Sequence, residues 1–380
     1  MLVNLLVMGI TLLLGMYFLR FERTSSMVGS DGLVYYLQHT GRKYYIQCIS
    51  VVLILQSGLR NVAVGADTYA YYLTFESIKR QSWSELFWKL KEYYLFDEGK
   101  DPGYAVFQKS VQIFTGDYQV FLFVIAILFF SSLGYFIYRN TNRLSDAIFA
   151  FILYSALFYS FFSITGHRQT IATAAALYSF EWIKKRKLVH FIVLILLAST
   201  IHKSVMVFLP FYFIVRIKNV KYFFLSIIIF LPLFFLYKAE YSQFFKTLSG
   251  YDHGVYTNAG TWTFTAMIII IALSGAWRFN LVTRINPSAQ IFYLAFGVAL
   301  VFTPLTWVDP SAMRVVQYFS IFMLLLVPEL IHSFKYESTT WRNFLYTTAL
   351  ALILIFYVQS GSGHVYKFFW QGMNLGINYR

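Results

Sequence analysis

Twelve stretches of the chain are apolar almost without interruption: 2–19, 44–58, 119–138, 145–163, 169–183, 188–200, 203–215, 222–237, 262–277, 289–306, 315–332 and 343–360. Such runs leave few folds open. In hydrocarbon every backbone N–H and C=O must be satisfied within the protein, so spanning segments are helices or strands of a closed barrel. Barrel strands alternate in polarity over roughly ten residues, whereas these runs are longer and continuously apolar. The expected fold is an all-α polytopic membrane protein with about 12 transmembrane helices, each near the ~20 residues that cross a bilayer. It reads as a single integral membrane domain over residues 1–380. The chain is 58% hydrophobic and only 13% charged, against roughly 25% charged in soluble domains. That leaves too little polar surface to face water. Several runs are short, so their bounds are soft by a few residues. The 188–215 stretch is read as two helices, because His202-Lys203 in its middle belongs at an interface rather than at the bilayer centre.

The formal net charge is +14. In a soluble chain that excess would suggest nucleic acid. Here it reflects the positive-inside bias and contact with anionic head groups, so membrane lipid is the expected partner and nucleic acid is not. The short basic clusters Arg20/Arg23, Arg42/Lys43, Arg139/Arg143, Lys184 to Lys187, Arg216/Lys218/Lys221, Arg278/Arg284 and Lys335/Arg342 all fall on one side, with both termini on the other. The first apolar run lacks a basic n-region and is followed by Arg20, so it reads as a retained helix rather than a cleaved leader. The single cysteine, Cys48, forms no internal disulfide.

Two segments on the side away from the basic clusters exceed simple turns, 59–118 and 238–261. The first carries aromatic residues at helical spacing, from Tyr69 through Trp83 and Trp88 to Tyr104 and Phe114, which predicts short amphipathic helices at an interface. Long loops in compact proteins are usually functional. No internal repeat is visible, which argues against a transporter built from paired halves.

Polar residues recur at the helix ends on that same side: Arg60 and Asp67, Arg168-Gln169, His202-Lys203, and Asp309 with Arg314. Arginine suits phosphate because its planar fork stays charged and donates bidentate hydrogen bonds, and a lipid-linked diphosphate is the natural anion at that depth. Any one of these cations taken alone is better explained by snorkelling to an interface; the set together is less easily dismissed. His202 is the first-choice general base or a hydrogen-bonded loop residue. Asp67 and Asp309 are alternative bases or arginine partners. Asp101 is a further candidate, although an acidic Gly/Pro-rich stretch is more often a solvated turn. The sequence has no zinc-type His/Cys spacing, phosphate-cradling Gly loop or dinucleotide motif, and indicates neither a metal nor a cofactor.

Arg60 with Val64-Gly65-Ala66-Asp67-Thr68-Tyr69 resembles the Arg-then-Gly-x-Asp-x-x-x-Tyr signature of the EpsG-like branch of Wzy-type polysaccharide polymerases. Four later stretches are similar to family landmarks in the same order: Asp101-Pro-Gly-Tyr104, Arg168-Gln169-Thr-Ile-Ala172, Ile201-His202-Lys-Ser204 and Arg314-Val-Val-Gln-Tyr318. Together they cover roughly residues 60 to 320. One departure concerns the approach to Arg168. Relatives tend to carry Asn shortly before the Arg-Gln pair, and Ser163-Ile-Thr-Gly-His167 stands here instead.

The resemblance implies a glycosyltransferase on the periplasmic face of the bacterial inner membrane. It moves a growing glycan from undecaprenyl diphosphate onto a lipid-linked repeat unit and uses no nucleotide. Both donor and acceptor are then lipid-linked oligosaccharides, and a chain-length regulator is a possible partner. The implied diphosphate ligands are Arg60, Arg168, Arg314 and Lys203. The implied catalytic set is His202 as base, Asp67 as its alternative or the partner of Arg60, and Arg168 with Arg314 on the leaving group. Tyr69, Tyr72, Tyr104 and Tyr318 are the implied sugar contacts. The product classes are O-antigen, capsule or exopolysaccharide. A lipid-linked oligosaccharide flippase, an O-antigen ligase and a membrane acyltransferase are the competing readings.

Overall fold

The structure, a computed structural model, describes residues 2–24, 26–28, 34–36, 38–65, 67–96, 99, 101–249, 262–334, 338, 340, 343, 345 and 366–372. Its contacts divide the chain into two compact units, Met1–Met206 with Leu350–Arg380, and Val207–Ala349.

The first unit begins with helix α1 (Leu2–Thr24) and an antiparallel ribbon of β1 (Ser26–Val28) and β2 (Val34–Tyr36), in which Met27 faces Tyr35. The ribbon is a small departure from an all-helical chain. Helix α2 (Gln38–Gly58) follows. The long segment 59–118 then folds as three short helices, α3 (Thr68–Ile78), α4 (Trp83–Phe96) and α5 (Pro102–Gln112). Next come α6 (Tyr118–Asn140), α7 (Leu144–Leu157), a π-helical turn at Ser160–Thr165, α8 (His167–Lys184) and α9 (Leu188–Ile201), with a 3-10 turn starting at Lys203.

Helix α6 is apolar on every side, as expected of a helix surrounded by lipid and other helices. Its start is set by Asp117, whose carboxylate accepts the Gln119 N–H at 2.8 Å. It packs on α2 and α8, while α8 also packs on α9, and α1 packs on α2 and α7. Between apolar helices in lipid the attraction is close packing rather than escape from water, so small residues matter at the contacts. Gly134 of α6 shows this: a Cβ there would lie 2.7 Å from Ser50 Oγ of α2. Aromatic rings fill the interior, with Phe129 stacked on Phe162 at 5.3 Å and Tyr45 edge-on to Phe151 at 6.2 Å.

The two ends of this unit differ in chemistry. At one end Arg42 donates to the Tyr138 carbonyl at 3.1 Å and to Thr141 Oγ1 at 3.2 Å. There Arg139 meets Glu181 at 3.3 Å, Arg143 meets Asp146 at 3.3 Å, and Lys184 pairs with Glu181. These are the cations of three short basic connections. The other end collects the close of α2, the start of α6, the π turn, the start of α8 and the close of α9. A segment near the C-terminus is tied to that end. Tyr366 Oη donates to the Gln56 carbonyl at 2.6 Å, and Asn61 N–H and Phe369 N–H exchange bonds with Lys367 and Leu59 carbonyls at 2.9 Å each.

The second unit contains α10 (Phe211–Ile214), α11 (Val220–Leu236), α12 (Lys238–Ser249), α13 (Trp262–Ile285), α14 (Ala289–Phe302), α15 (Met313–Ser320) and α16 (Met323–Ser333). Tyr293 anchors its core, with Phe279 at 4.7 Å, Phe224 at 5.1 Å and its hydroxyl donating to the Gly275 carbonyl at 3.0 Å. Buried Asn286 and Glu329 hydrogen-bond at 2.9 Å. Part of the expected loop 238–261 is helix α12, and 250–261 lies outside the described residues.

All but the last apolar run fall on helical segments; 343–360 lies almost wholly outside the described residues. Among the described residues, four helices are by themselves long and apolar enough to cross a membrane, and six if two bent pairs each count once. The difference from twelve has a physical source. Helices α7 and α9 have 14 residues each, a rise of roughly 21 Å against hydrocarbon ~30 Å thick. Helix α7 gives way to the π turn, and α9 stops at His202. Helices α2 and α8 carry polar residues at their ends.

Candidate active site

Asp101 is the centre of the polar end of the first unit. Its backbone is left-handed, φ 50° and ψ 54°, which is uncommon for a residue with a Cβ. Pro102 occupies the first turn of α5, where its missing N–H costs no bond. Gly103 follows, and a Cβ there would lie 2.1 Å from Thr200 Oγ1 and 2.7 Å from the Thr200 carbonyl carbon. Only glycine lets the start of α5 lie against the end of α9. That approach delivers Asp101 to His202, the residue at which α9 ends.

Asp101 is 3% exposed as a residue, and its carboxylate is wholly buried and engaged. Oδ2 accepts from Arg168 NH1 at 2.9 Å and contacts His202 Nδ1 at 3.1 Å, while Oδ1 accepts the Lys203 N–H at 3.2 Å. Burial by itself would raise the Asp101 pKa, but the hydrogen bond and charge of His202, then Arg168 and the Lys203 N–H, together bring it below the ordinary value. The result is an ionised carboxylate that orients one imidazole and one guanidinium. With Oδ2 accepting from Nδ1–H, the basic lone pair of His202 is on Nε2.

A second layer surrounds this node. The Tyr71 ring stacks on His167 at 4.6 Å and 18°, and Tyr104 meets Tyr71 edge-on at 5.6 Å. The Arg168 guanidinium lies over Tyr71, 5.8 Å from its centroid. Its side chain is 21% exposed, and its Nε makes no hydrogen bond among the described residues. His167 in turn contacts Arg60 NH2 through Nε2 at 2.7 Å and Tyr104 Oη through Nδ1 at 3.4 Å.

Arg60 is 2% exposed. NH1 donates to the Ser57 carbonyl and, at 3.0 Å, to Ser57 Oγ; NH2 reaches the Ile164 carbonyl at 3.4 Å. Its fork thus joins the end of α2, the π turn and the start of α8. Asp67 is exposed at the start of α3 and makes no capping bond. Tyr69 and Tyr72 pair at 5.8 Å on α3, and Tyr72 stands edge-on to Tyr118 at 5.2 Å. Tyr104 is buried among Phe75, Tyr118 and Phe121. The first unit therefore brings together Arg60, Tyr104, Arg168, His202 and the Lys203 backbone. Arg314 and Tyr318 belong to the second unit, where Arg314 is half-buried in the first turn of α15 and Tyr318 is buried. Asp309 caps the 3-10 turn Pro310–Ala312, accepting the Ser311 N–H at 2.8 Å.

His167 and Tyr71 escape a reading of the sequence, and Asp101 enters it only as a lesser candidate. Asp101 looks like a solvated turn because the burial that gives it a role comes from α9. His167 lies in the approach to Arg168 and carries no motif signal of its own. Tyr71 is one aromatic among many until the fold selects it. No group of three or more His, Cys, Asp or Glu suited to a metal occurs among the described residues.

The family model of EpsG matches residues 43–371. The chain belongs to the EpsG family. The match spans every motif residue just described, from Arg60 to Tyr318. No curated protein and no solved structure gives a significant match. Membership of the EpsG family, with the apolar helices, marks an integral membrane protein of polysaccharide biosynthesis and suggests a polymerase-type function. In this EpsG-family chain, four sequence-distant motifs meet within one hydrogen-bonded cluster.

Proposed function

We propose that this protein is a glycosyltransferase that polymerises lipid-linked repeat units, moving a glycan from a polyprenyl diphosphate onto the hydroxyl of a second lipid-linked unit. The observation that carries this reading is the double use of Asp101 Oδ2, 2.9 Å from Arg168 and 3.1 Å from His202. One carboxylate sets a base beside an anion-binding cation. That pairing suits attack of a hydroxyl on a sugar whose leaving group is a diphosphate.

In the proposed step the substrates open the site to His202 Nε2, which is buried in this structure, and it takes the proton of the acceptor hydroxyl as the hydroxyl oxygen bonds to C1 of the donor sugar. The C1–O bond to the diphosphate breaks, and its electron pair leaves on the diphosphate. Arg168 is placed to stabilise that charge, and it needs no reorganisation because Asp101 and Tyr71 already hold it. Asp101 has no exposed side-chain surface and acts as a positioning residue. Arg60 positions His167 and the start of α8. Tyr69 and Tyr72 offer ring faces to a sugar. The parts of Lys203, Asp67, Arg314 and Tyr318 rest on their motifs alone.

Orientation follows from the positive-inside bias. The three short basic connections of the first unit gather at the end opposite Asp101, which supports a site end that faces the periplasm of a bacterial inner membrane. About twelve spans with both termini outside fit that arrangement. A lipid-linked donor and acceptor, membrane lipid and a chain-length regulator are the proposed partners.

Purified protein in vesicles, supplied with a lipid-linked repeat unit and no nucleotide, should form a ladder of polymers. Arg168→Ala and His202→Ala should leave single units unextended in the same assay. In cells these variants should still display one repeat unit. Loss of single units from the outer face would instead favour a flippase.

A further inference from the structure

A groove of about 540 Å³ runs along α8 between α6 and α9. Its volume lies in the range of small-ligand sites, ~300–1,000 Å³. Helix α8 is the floor, contributing Ile171, Ala174, Ala175 and Tyr178 at helical spacing. Helix α9 forms one wall with Leu194, Leu197, Ala198 and Ile201, in the same spacing. Leu128 and Ser131 of α6 belong to the other. No charged side chain lines it.

The position of the groove matters more than its size. Ile171 is one turn beyond Arg168, and Ile201 is the residue before His202. The groove therefore starts beside the cation and the imidazole that share Asp101. It runs about 10 Å along the helices, seven residues of rise, and ends where Tyr135 and Tyr178 meet at 5.5 Å. Leu128, Leu197 and Tyr178 are exposed along it, so it opens sideways to the surroundings. A cation at the head of an uncharged, laterally open groove complements one kind of molecule: an anionic head joined to a long hydrocarbon tail.

We infer that this groove seats the first isoprene units of the polyprenyl chain whose diphosphate lies at Arg168. The inference rests on the lipid-diphosphate reading of the site. Ala174 and Ala175 on the floor and Ala198 on the wall present small side chains between Ile171, Tyr178 and Ile201. Lateral opening lets the tail enter from the bilayer without passing through the protein.

The test uses a sugar-free polyprenyl diphosphate carrying a photoreactive isoprene, with the full-length protein in phosphatidylethanolamine–phosphatidylglycerol vesicles. Label should appear on peptides of α8 and α9, and excess unlabelled polyprenyl diphosphate should remove it. Ala175→Phe, which fills the half-exposed floor position, should weaken binding of the probe about tenfold, or ~1.4 kcal/mol. Ala175→Ser should bind as wild type does. Leu197→Trp, at an exposed rim position, gives a second variant should Ala175→Phe fail to fold. Absence of label from α8 and α9, equal competition by phosphatidylglycerol, or unchanged labelling in folded Ala175→Phe overturns the inference. Labelled groove peptides in a protein that builds no ladder remove the polymerase reading and keep the groove. A ladder with an unlabelled groove removes the groove alone.

Discussion

Asp101 and His202 are 101 residues apart in sequence and meet at 3.1 Å, Oδ2 to Nδ1. The contact holds the imidazole in one orientation and one tautomer. Asp101→Asn keeps the shape but offers an amide N–H where Nδ1 needs an acceptor. The expected outcome is a fall in kcat of roughly 10²-fold or more with KM little changed. Initial rates of ladder formation at several donor concentrations measure both. An unchanged kcat would show that His202 does not depend on Asp101.

The same carboxylate links stability to pH. Its pKa in the folded protein is below the ordinary value, because His202, Arg168 and the Lys203 N–H outweigh burial. A lowered folded pKa stabilises the fold fully above the unfolded pKa, about 3.9 for Asp. That contribution is lost as pH falls through the still lower folded value. Thermal melts should thus decline below about pH 4. Asp101→Asn should flatten that part of the profile; parallel curves for the two proteins would refute the linkage.

Gly103→Ala tests the seating of α5 on α9. The added Cβ would stand 2.1 Å from Thr200 Oγ1 and 2.7 Å from its carbonyl carbon. A hydroxyl rotates away, but a backbone carbon does not, so the start of α5 must shift. Overpacking of this kind costs about 1–3 kcal/mol. A lowered Tm together with weakened polymerisation is expected. Wild-type values for both would mean that α5 approaches α9 less closely.

Arg60 and Arg168 should respond differently to lysine. Arg60→Lys removes a buried fork that serves Ser57, Ile164 and His167 at once, and each stranded acceptor costs about 1–3 kcal/mol. A clear drop in Tm is expected. Arg168 is partly exposed, so Arg168→Lys keeps the charge beside Asp101 and most of the stability. It loses the planar fork, and kcat should fall on the order of 10²-fold. Melting curves and rates on the two variants separate the roles, and the opposite pattern would exchange them.

The helical fold was legible because lipid leaves little choice. A continuous apolar run has to satisfy its own backbone, so its position alone marks a helix. The helices of 59–118 were legible from aromatic spacing. The span count was less so: α9 ends at His202 and α7 yields to a π turn, and those interruptions serve the site rather than the pattern. The ribbon of Ser26–Val28 with Val34–Tyr36 gave no signal at all, since three residues are too few to show alternation.

For the site, the sequence by itself determined the chemical types: arginines for an anion, a histidine for a proton, aromatic residues near both, and their confinement to one set of helix ends. It did so because charge beside apolar runs is costly to keep without a partner or a task. Only the tertiary structure decided the pairings. It placed Asp101 against Arg168 and His202, brought His167 to Arg60, and made Arg60 a brace within the wall. Those outcomes depend on the close approach of α5 to α9 at Gly103 and Thr200. Contacts between residues 67 and 101 positions apart are fixed by packing, and no local pattern in the sequence encodes them.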